Sequence, residues 1–159
     1  MKELFSVLPR ITLTDKCDYL VDTCFFFWAF QNGKEKDFEK LLDKKIVGMT
    51  SFNADEVVLK SHRVNERVRE KARKVLRKTQ KFYVLDVPVR PGDWAGELKF
   101  VKDHVPEFSC AEHDPSDAII LAAAICTGAD VLTRDKHDLF NVKMENCIKK
   151  YRVKVLNKF

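Results

Sequence analysis

The sequence predicts a single α/β domain, a five-stranded parallel sheet flanked by helices on both faces (an α/β/α sandwich). Two observations carry that expectation. Short runs rich in β-formers alternate along the chain with longer segments whose apolar residues recur at spacings of three and four. One such segment, the Ala-rich stretch Ala118 to Cys126, is apolar all round and leads directly into a strand, as happens when a parallel sheet is covered on both sides. A length of 159 residues suits one domain with a sizeable core.

The elements follow in order. Tyr19 to Asp22 is a first strand ending in an acid, and the apolar stretch through Phe30 is a buried helix. Gly33 breaks it, and Lys34 to Lys45 places Phe38, Leu41 and Leu42 at helical spacing. Ile46 to Met49 is a second strand. A long helix is expected from Ser51 to Lys78, with Val57, Val58, Val64, Val68, Ala72 and Val75 as its apolar stripe. Phe82 to Val87 is a third strand, closed by Pro88. Gly92 to His104 reads as a helix that stops before Pro106. Asp114-Pro115-Ser116-Asp117 has the cap and proline of a helix start, and Gly128 is the matching stop. Ala129 to Thr133, a short helix from Met144 to Tyr151, and a fifth strand from Arg152 to Leu156 complete the set. The expected core therefore spans residues 18–156, with residues 1–17 as an N-terminal extension.

Composition removes several classes of function. A hydrophobic share of 45% with 12 Phe excludes a generally disordered chain, and five Gly with five Pro exclude collagen-like or linker-rich ones. No apolar run approaches the about 20 residues a membrane helix needs, and the first residues do not read as a signal peptide. Five scattered cysteines without a Cys-x-x-Cys pair fit neither a disulfide framework nor a zinc site. They read as reduced and mostly buried, and a cytoplasmic location is the expectation. The formal charge is +5, and ten Lys or Arg fall between Lys60 and Lys81 against only Glu66 and Glu70. Such a concentration suits either phosphate binding or a solvated helix face.

The acids carry the chemistry. In open parallel sheets, ligands bind beyond the carboxyl ends of the strands. Asp22 ends the first strand, Asp135 and Asp138 follow the fourth, Glu56 lies early in the helix after the second, and Asp117 opens the Ala-rich helix. Each has an ordinary explanation: Asp114 and Asp117 complement a helix N-terminus, Asn53 with Glu56 suits a capping pair, and Asp135 suits an Asx-turn. Asp22 is harder to dismiss, because Asp is depleted in strands and its neighbours are apolar. Carboxylates crowded on one rim repel unless a cation compensates. A hard ion with oxygen ligands, Mg²⁺ or Mn²⁺, is the natural candidate. His62, His104, His113 and His137 lack ligand spacing, although His113 and His137 stand near the acids. A basic chain with an acidic metal site points to a phosphodiester substrate, cleaved to a 5′-phosphate and a 3′-hydroxyl. No Ser-His-Asp arrangement, Walker loop or Gly-rich dinucleotide fingerprint supports other chemistry.

These residues form a familiar pattern. Tyr19-Leu20-Val21-Asp22-Thr23, the helix-borne Glu56, Asp117-Ala118-Ile119-Ile120-Leu121-Ala122 and Gly128 to Asp135 resemble, in order, the signature of PIN-domain ribonucleases. The resemblance implies a five-stranded parallel sheet and metal-dependent cleavage of single-stranded RNA. Its acidic quartet falls on Asp22, Glu56, Asp117 and Asp135, with Asp138 as an accessory acid. It also implies VapC-like toxins of toxin–antitoxin pairs as relatives, hence an antitoxin protein as partner and a homodimer as the assembly; an RNA-processing nuclease is the other form of the same activity. The family usually has Asn where Cys24 stands, which removes one polar contact near the metal. Lys60, Arg63 and Arg67 are the expected phosphate contacts. The alternative is a non-catalytic PIN-fold RNA-binding or scaffold protein whose acids serve as caps. Phosphatase chemistry of the haloacid dehalogenase type would want Asp-x-Asp, and Cys24 occupies its second position. The Phe25-Phe26-Phe27-Trp28 segment is read as core, with a dimer contact as the alternative.

Overall fold

The computed structural model describes residues 1–79, 81–107, 115–134 and 148–159. Its elements run α1 (Lys2–Val7), β1 (Arg10–Ile11), β2 (Tyr19–Val21), α2 (Thr23–Gln31), α3 (Glu35–Lys44), β3 (Val47–Thr50), α4 (Ser51–Lys60), α5 (Glu66–Thr79), β4 (Phe82–Leu85), α6 (Trp94–His104), α7 (Pro115–Thr127), β5 (Asp130–Leu132) and β6 (Val155–Leu156). The strands form one sheet in the order β1-β4-β3-β2-β5-β6, and every pairing is parallel. The chain builds outward from β2 to one side through β3 and β4. It then returns to add β5 and β6 on the other side. The carboxyl end of β2 is thus the point where strand order reverses, the position at which such sheets open a ligand crevice.

Both faces of the sheet are covered because side chains alternate along each strand. Leu20, Leu85 and Val131 face one core with α6 and α7, where Phe100, Val101 and Ala118 to Ala124 pack. Val21, Val84 and Leu132 face the other, filled by Phe25, Phe26, Phe30, Phe38, Val57 and Leu76 from the helices of the first half. Helix α7 is apolar around its circumference because it lies between α6 and the sheet. Glu97, only 2% exposed, ties this layer together. Its Oε1 accepts from the Gly92 N–H at 2.9 Å, and its Oε2 accepts from the Ser116 hydroxyl at 2.9 Å. Among the described residues, no helix is long and apolar enough to cross a membrane.

Among the described residues the sheet has six strands rather than the expected five, because the N-terminal segment contributes one. The Pro9 and Ile11 carbonyls accept from the Val84 and Asp86 N–H groups, each at 2.9 Å, so β1 completes the edge of β4. Leu4, Phe5 and Leu8 are buried with it. The long helix expected from Ser51 to Lys78 is two helices. The Ser61 hydroxyl bonds back to the Val58 carbonyl at 2.7 Å, a 3-10 turn follows over Ser61–Arg63, and Asn65 Oδ1 accepts the Arg67 N–H at 2.9 Å to start α5. The third predicted strand ends at Leu85, since the Val87 N–H turns away to the Ser51 hydroxyl at 3.0 Å. The fifth begins only at Val155, because Arg152 adopts a left-handed φ of 60° that no strand admits. Asp114, and most of the helix expected from Met144, lie outside the described residues.

Gly48 sits at a close approach of β3 to β4. A Cβ there would sit 3.0 Å from the Tyr83 carbonyl oxygen of the neighbouring strand. Gly48→Ala is therefore expected to destabilise the fold by about 1–3 kcal/mol through overpacking. An unchanged urea midpoint would show that β3 and β4 separate without cost.

Candidate active site

Asp22 is placed by the sheet and oriented by side chains from three segments. Its backbone N–H donates to the Leu132 carbonyl at 2.9 Å, which continues the β2–β5 ladder one residue past the strand. As N-cap of α2, its Oδ1 accepts the Thr23 N–H at 2.6 Å, where the helix dipole favours negative charge. Its Oδ2 accepts from the Cys24 thiol at 2.7 Å and the Thr133 hydroxyl at 2.9 Å. Burial nevertheless raises the Asp22 carboxyl above the ordinary carboxylate range. The hydrogen bonds from Cys24, Thr133 and Thr23 oppose that shift, while the Glu56 charge adds to it.

Glu56 reaches the same place from α4. Its Oε2 accepts from the Thr23 hydroxyl at 2.8 Å, and its Oε1 pairs with Lys60 Nζ at 3.0 Å. The link between the two acids is Asn53, 3% exposed, whose Nδ2 donates to Asp22 Oδ1 and to Glu56 Oε2, each at 3.3 Å. The Thr50 hydroxyl donates to Asn53 Oδ1 at 2.6 Å and so fixes which way the amide points. Thr50 also caps α4, accepting the Asn53 N–H at 3.0 Å. The expected Asn53–Glu56 capping pair is therefore replaced by a Thr50 cap and an Asn53 bridge. Thr50, Asn53 and Glu56 recur every three residues, which sets them along one helix face. That spacing was the available signal for Asn53.

Cys24 does more than the sequence suggested. Its thiol donates to Asp22 and accepts the Arg134 N–H at 3.1 Å, with the Thr133 hydroxyl 3.3 Å away. A polar contact to Asp22 is thus retained at this position. Burial, reinforced by the Asp22 charge, pushes the thiol up to about 12, so it stays protonated as a donor.

Of the predicted acids, the structure joins Asp22 and Glu56. Asp117 stands half-buried in the first turn of α7. Asp135 and Asp138, with His113 and His137, lie outside the described residues, although Thr133, two positions before Asp135, already touches Asp22. Among the described residues, no three His, Cys, Asp or Glu side chains gather closely enough to hold a metal ion. The oxygen-rich pair of Asp22 and Glu56, with Asn53 and three Thr hydroxyls around it, suits a hard cation and offers nothing softer than the Cys24 thiol.

The basic run divides into two parts. Arg69 and Arg73 pair with Glu66, Lys71 with Glu35, Lys78 with Glu39, and Lys81 with Asp43. The last three pairs form a charged seam that ties α5 and the following Lys81 to α3, while the two with Glu66 lie within α5. Of the three expected phosphate contacts, Lys60 is engaged with Glu56, while Arg63 and Arg67 are exposed and form no ion pair among the described residues.

The PIN-domain family model matches residues 19–143. A chain of the VapBC2 complex from Rickettsia felis, crystallised with a DNA fragment from its promoter, is similar in fold with a TM-score of 0.53 at 15% identity. The match covers 87% of this chain and 96% of that one. A search of curated proteins finds no sequence match. With the acid-tipped β2, the reversal of strand order beside it and a family match over most of its length, the chain belongs to the PIN-domain family.

Proposed function

We propose that this PIN domain is a divalent-metal-dependent ribonuclease that hydrolyses phosphodiester bonds in single-stranded RNA. The observation that carries the reading is the Asp22–Asn53–Glu56 bridge at the carboxyl edge of the sheet. It holds two carboxylates together despite the burial and repulsion that raise the Asp22 carboxyl. A structural cap needs no second acid beside it.

Asp22 and Glu56 would hold Mg²⁺ or Mn²⁺, with Asp117, Asp135 and the accessory Asp138 supplying further oxygens. When bound, the ion activates water, neutralises phosphate charge and stabilises the leaving oxygen. The remaining residues orient the acids. Thr133 and Cys24 direct Asp22 Oδ2, Thr23 directs Glu56 Oε2, and Asn53 sets their separation. Lys60 balances the outer Glu56 oxygen.

The fold likeness to a VapBC complex supports a toxin of a toxin–antitoxin pair with an antitoxin protein as partner; a homodimer is the assembly we propose from the PIN-family resemblance. The test of the core reading is cleavage of single-stranded RNA with Mn²⁺ present. Wild type is expected to cleave, EDTA to stop it, and Glu56→Gln to impair it. Equal cleavage by wild type and Glu56→Gln would place the chemistry elsewhere. Asn53→Ala is expected to lower the rate by about 10–100-fold, the usual cost of losing a group that orients metal ligands; its readout is Mn²⁺ affinity by calorimetry alongside rate.

A further inference from the structure

We infer that the lysine-lined cavity between α2, α3 and the C-terminal segment binds the strand of single-stranded RNA that extends away from the acids, with one base seated on the exposed Phe159 ring. This inference rests on the ribonuclease reading and adds the path of its substrate. The cavity holds about 510 Å³ and is lined by Trp28, Leu41 and Phe159 among five lysines and a single acidic side chain, Asp37. Lys34 pairs with Asp37 at 3.6 Å, and Lys45 pairs with Asp18 at 3.5 Å. Lys40, Lys44 and Lys158 form no ion pair among the described residues.

Aromatic surface stands amid these cations. Phe159 is 41% exposed, its ring 6.4 Å from Trp28 and edge-on to Phe25 at 5.2 Å. The Arg134 guanidinium lies 4.6 Å from the Trp28 ring centroid and donates to the Asn157 carbonyl at 3.0 Å. A cationic track with an exposed aromatic ring is what single strands use, phosphates following the charge while a base stacks. An acidic protein segment would use the lysines and leave the ring idle.

Arg134 also connects this surface to the acids, since its N–H contacts Cys24, whose thiol contacts Asp22. Trp28 lies about 9 Å along α2 from Asp22. The larger cavity, about 690 Å³ between α1, α4 and the ends of β1 and β4, contrasts with it. There Lys2, Arg10 and Arg90 face Asp55, Asp86 and Asp93, so no excess charge attracts phosphate.

The experiment is binding of fluorescent oligouridylate in EDTA, so that cleavage plays no part. Trp94→Phe provides a background in which Trp28 is the sole tryptophan. The inference expects RNA to quench Trp28. It expects Lys40→Glu/Lys44→Glu/Lys158→Glu to weaken binding at least tenfold and to reduce the slope of log K against log salt by about 2. Phe159→Ala should weaken binding roughly 5- to 150-fold, the range for one stacked base, with the salt slope unchanged. Reversal of Arg63 and Arg67 serves as the comparison. If that pair abolishes binding while the lysine triple leaves it unchanged, the inference is overturned. It is equally overturned if polyglutamate quenches Trp28 and oligouridylate does not. Loss of cleavage in Asp22→Asn reports on the catalytic reading separately, because metal-free binding does not depend on it.

Discussion

Asp22→Asn is expected to lower Mn²⁺-dependent RNA cleavage by at least ~100-fold, and to remove a pH-dependent loss of stability from the metal-free protein. The rate estimate takes the upper end of what is lost when a group merely orients a metal ligand, since Asp22 is assigned as the ligand itself. The stability effect follows from linkage. Burial raises the folded-state pKa of Asp22, so the native state holds this proton more tightly than the unfolded chain does. The contribution is fully present below the unfolded value of about 3.9 and disappears as pH rises through the raised folded value. Asparagine has no proton to lose there. In EDTA, the urea midpoint of wild type should fall relative to that of Asp22→Asn as pH rises from about 4 toward neutrality. Added Mn²⁺ should then stabilise wild type selectively, by mass action. Parallel midpoint curves with equal Mn²⁺ response would remove Asp22 from the proposed metal site.

The largest structural effect is expected at Phe26. Its side chain is fully buried, and its ring contacts Phe5 at 6.2 Å, Phe27 at 5.8 Å, Phe30 at 5.1 Å and Phe82 at 6.3 Å. One ring thus joins α1, α2 and β4. Phe26→Ala should cost about 3–5 kcal/mol, a large part of the about 5–15 kcal/mol that holds a typical domain together. The denaturant midpoint should drop with the m-value unchanged. A loss below about 1 kcal/mol would mean that α1 closes over the space.

The central strands were legible because both faces are buried and their side chains are apolar, as in Val47-Gly48-Met49 and Phe82-Tyr83-Val84-Leu85. Asp22 and Glu56 were legible because an acid among apolar neighbours, or just after a strand, stands out locally. What was hidden depends on partners distant in the chain. Asn53 reads as a helix-start residue until its neighbours across β2 are known. Half of the charged seam comes from α3, so the sequence shows Lys71, Lys78 and Lys81 without Glu35, Glu39 and Asp43 beside them. Glu97 looks like any helical glutamate, and only the approach of Gly92 and Ser116 makes it internal. The two-residue β1 is too short to carry a period, whereas β6 lies within the expected fifth strand and is only shorter than it.

Those two short strands have a further consequence. A sheet border with a long row of unpaired peptide groups invites another chain to dock there and start a fibril or a swapped assembly. Among the described residues each border is a two-residue strand with charge at or beside it, Arg10 held to Asp86 on one side and Lys154 and Lys158 flanking the other. Sheet extension is disfavoured at both margins. The proposed homodimer would therefore form through helical surfaces, where a closed pair leaves no route to polymerisation.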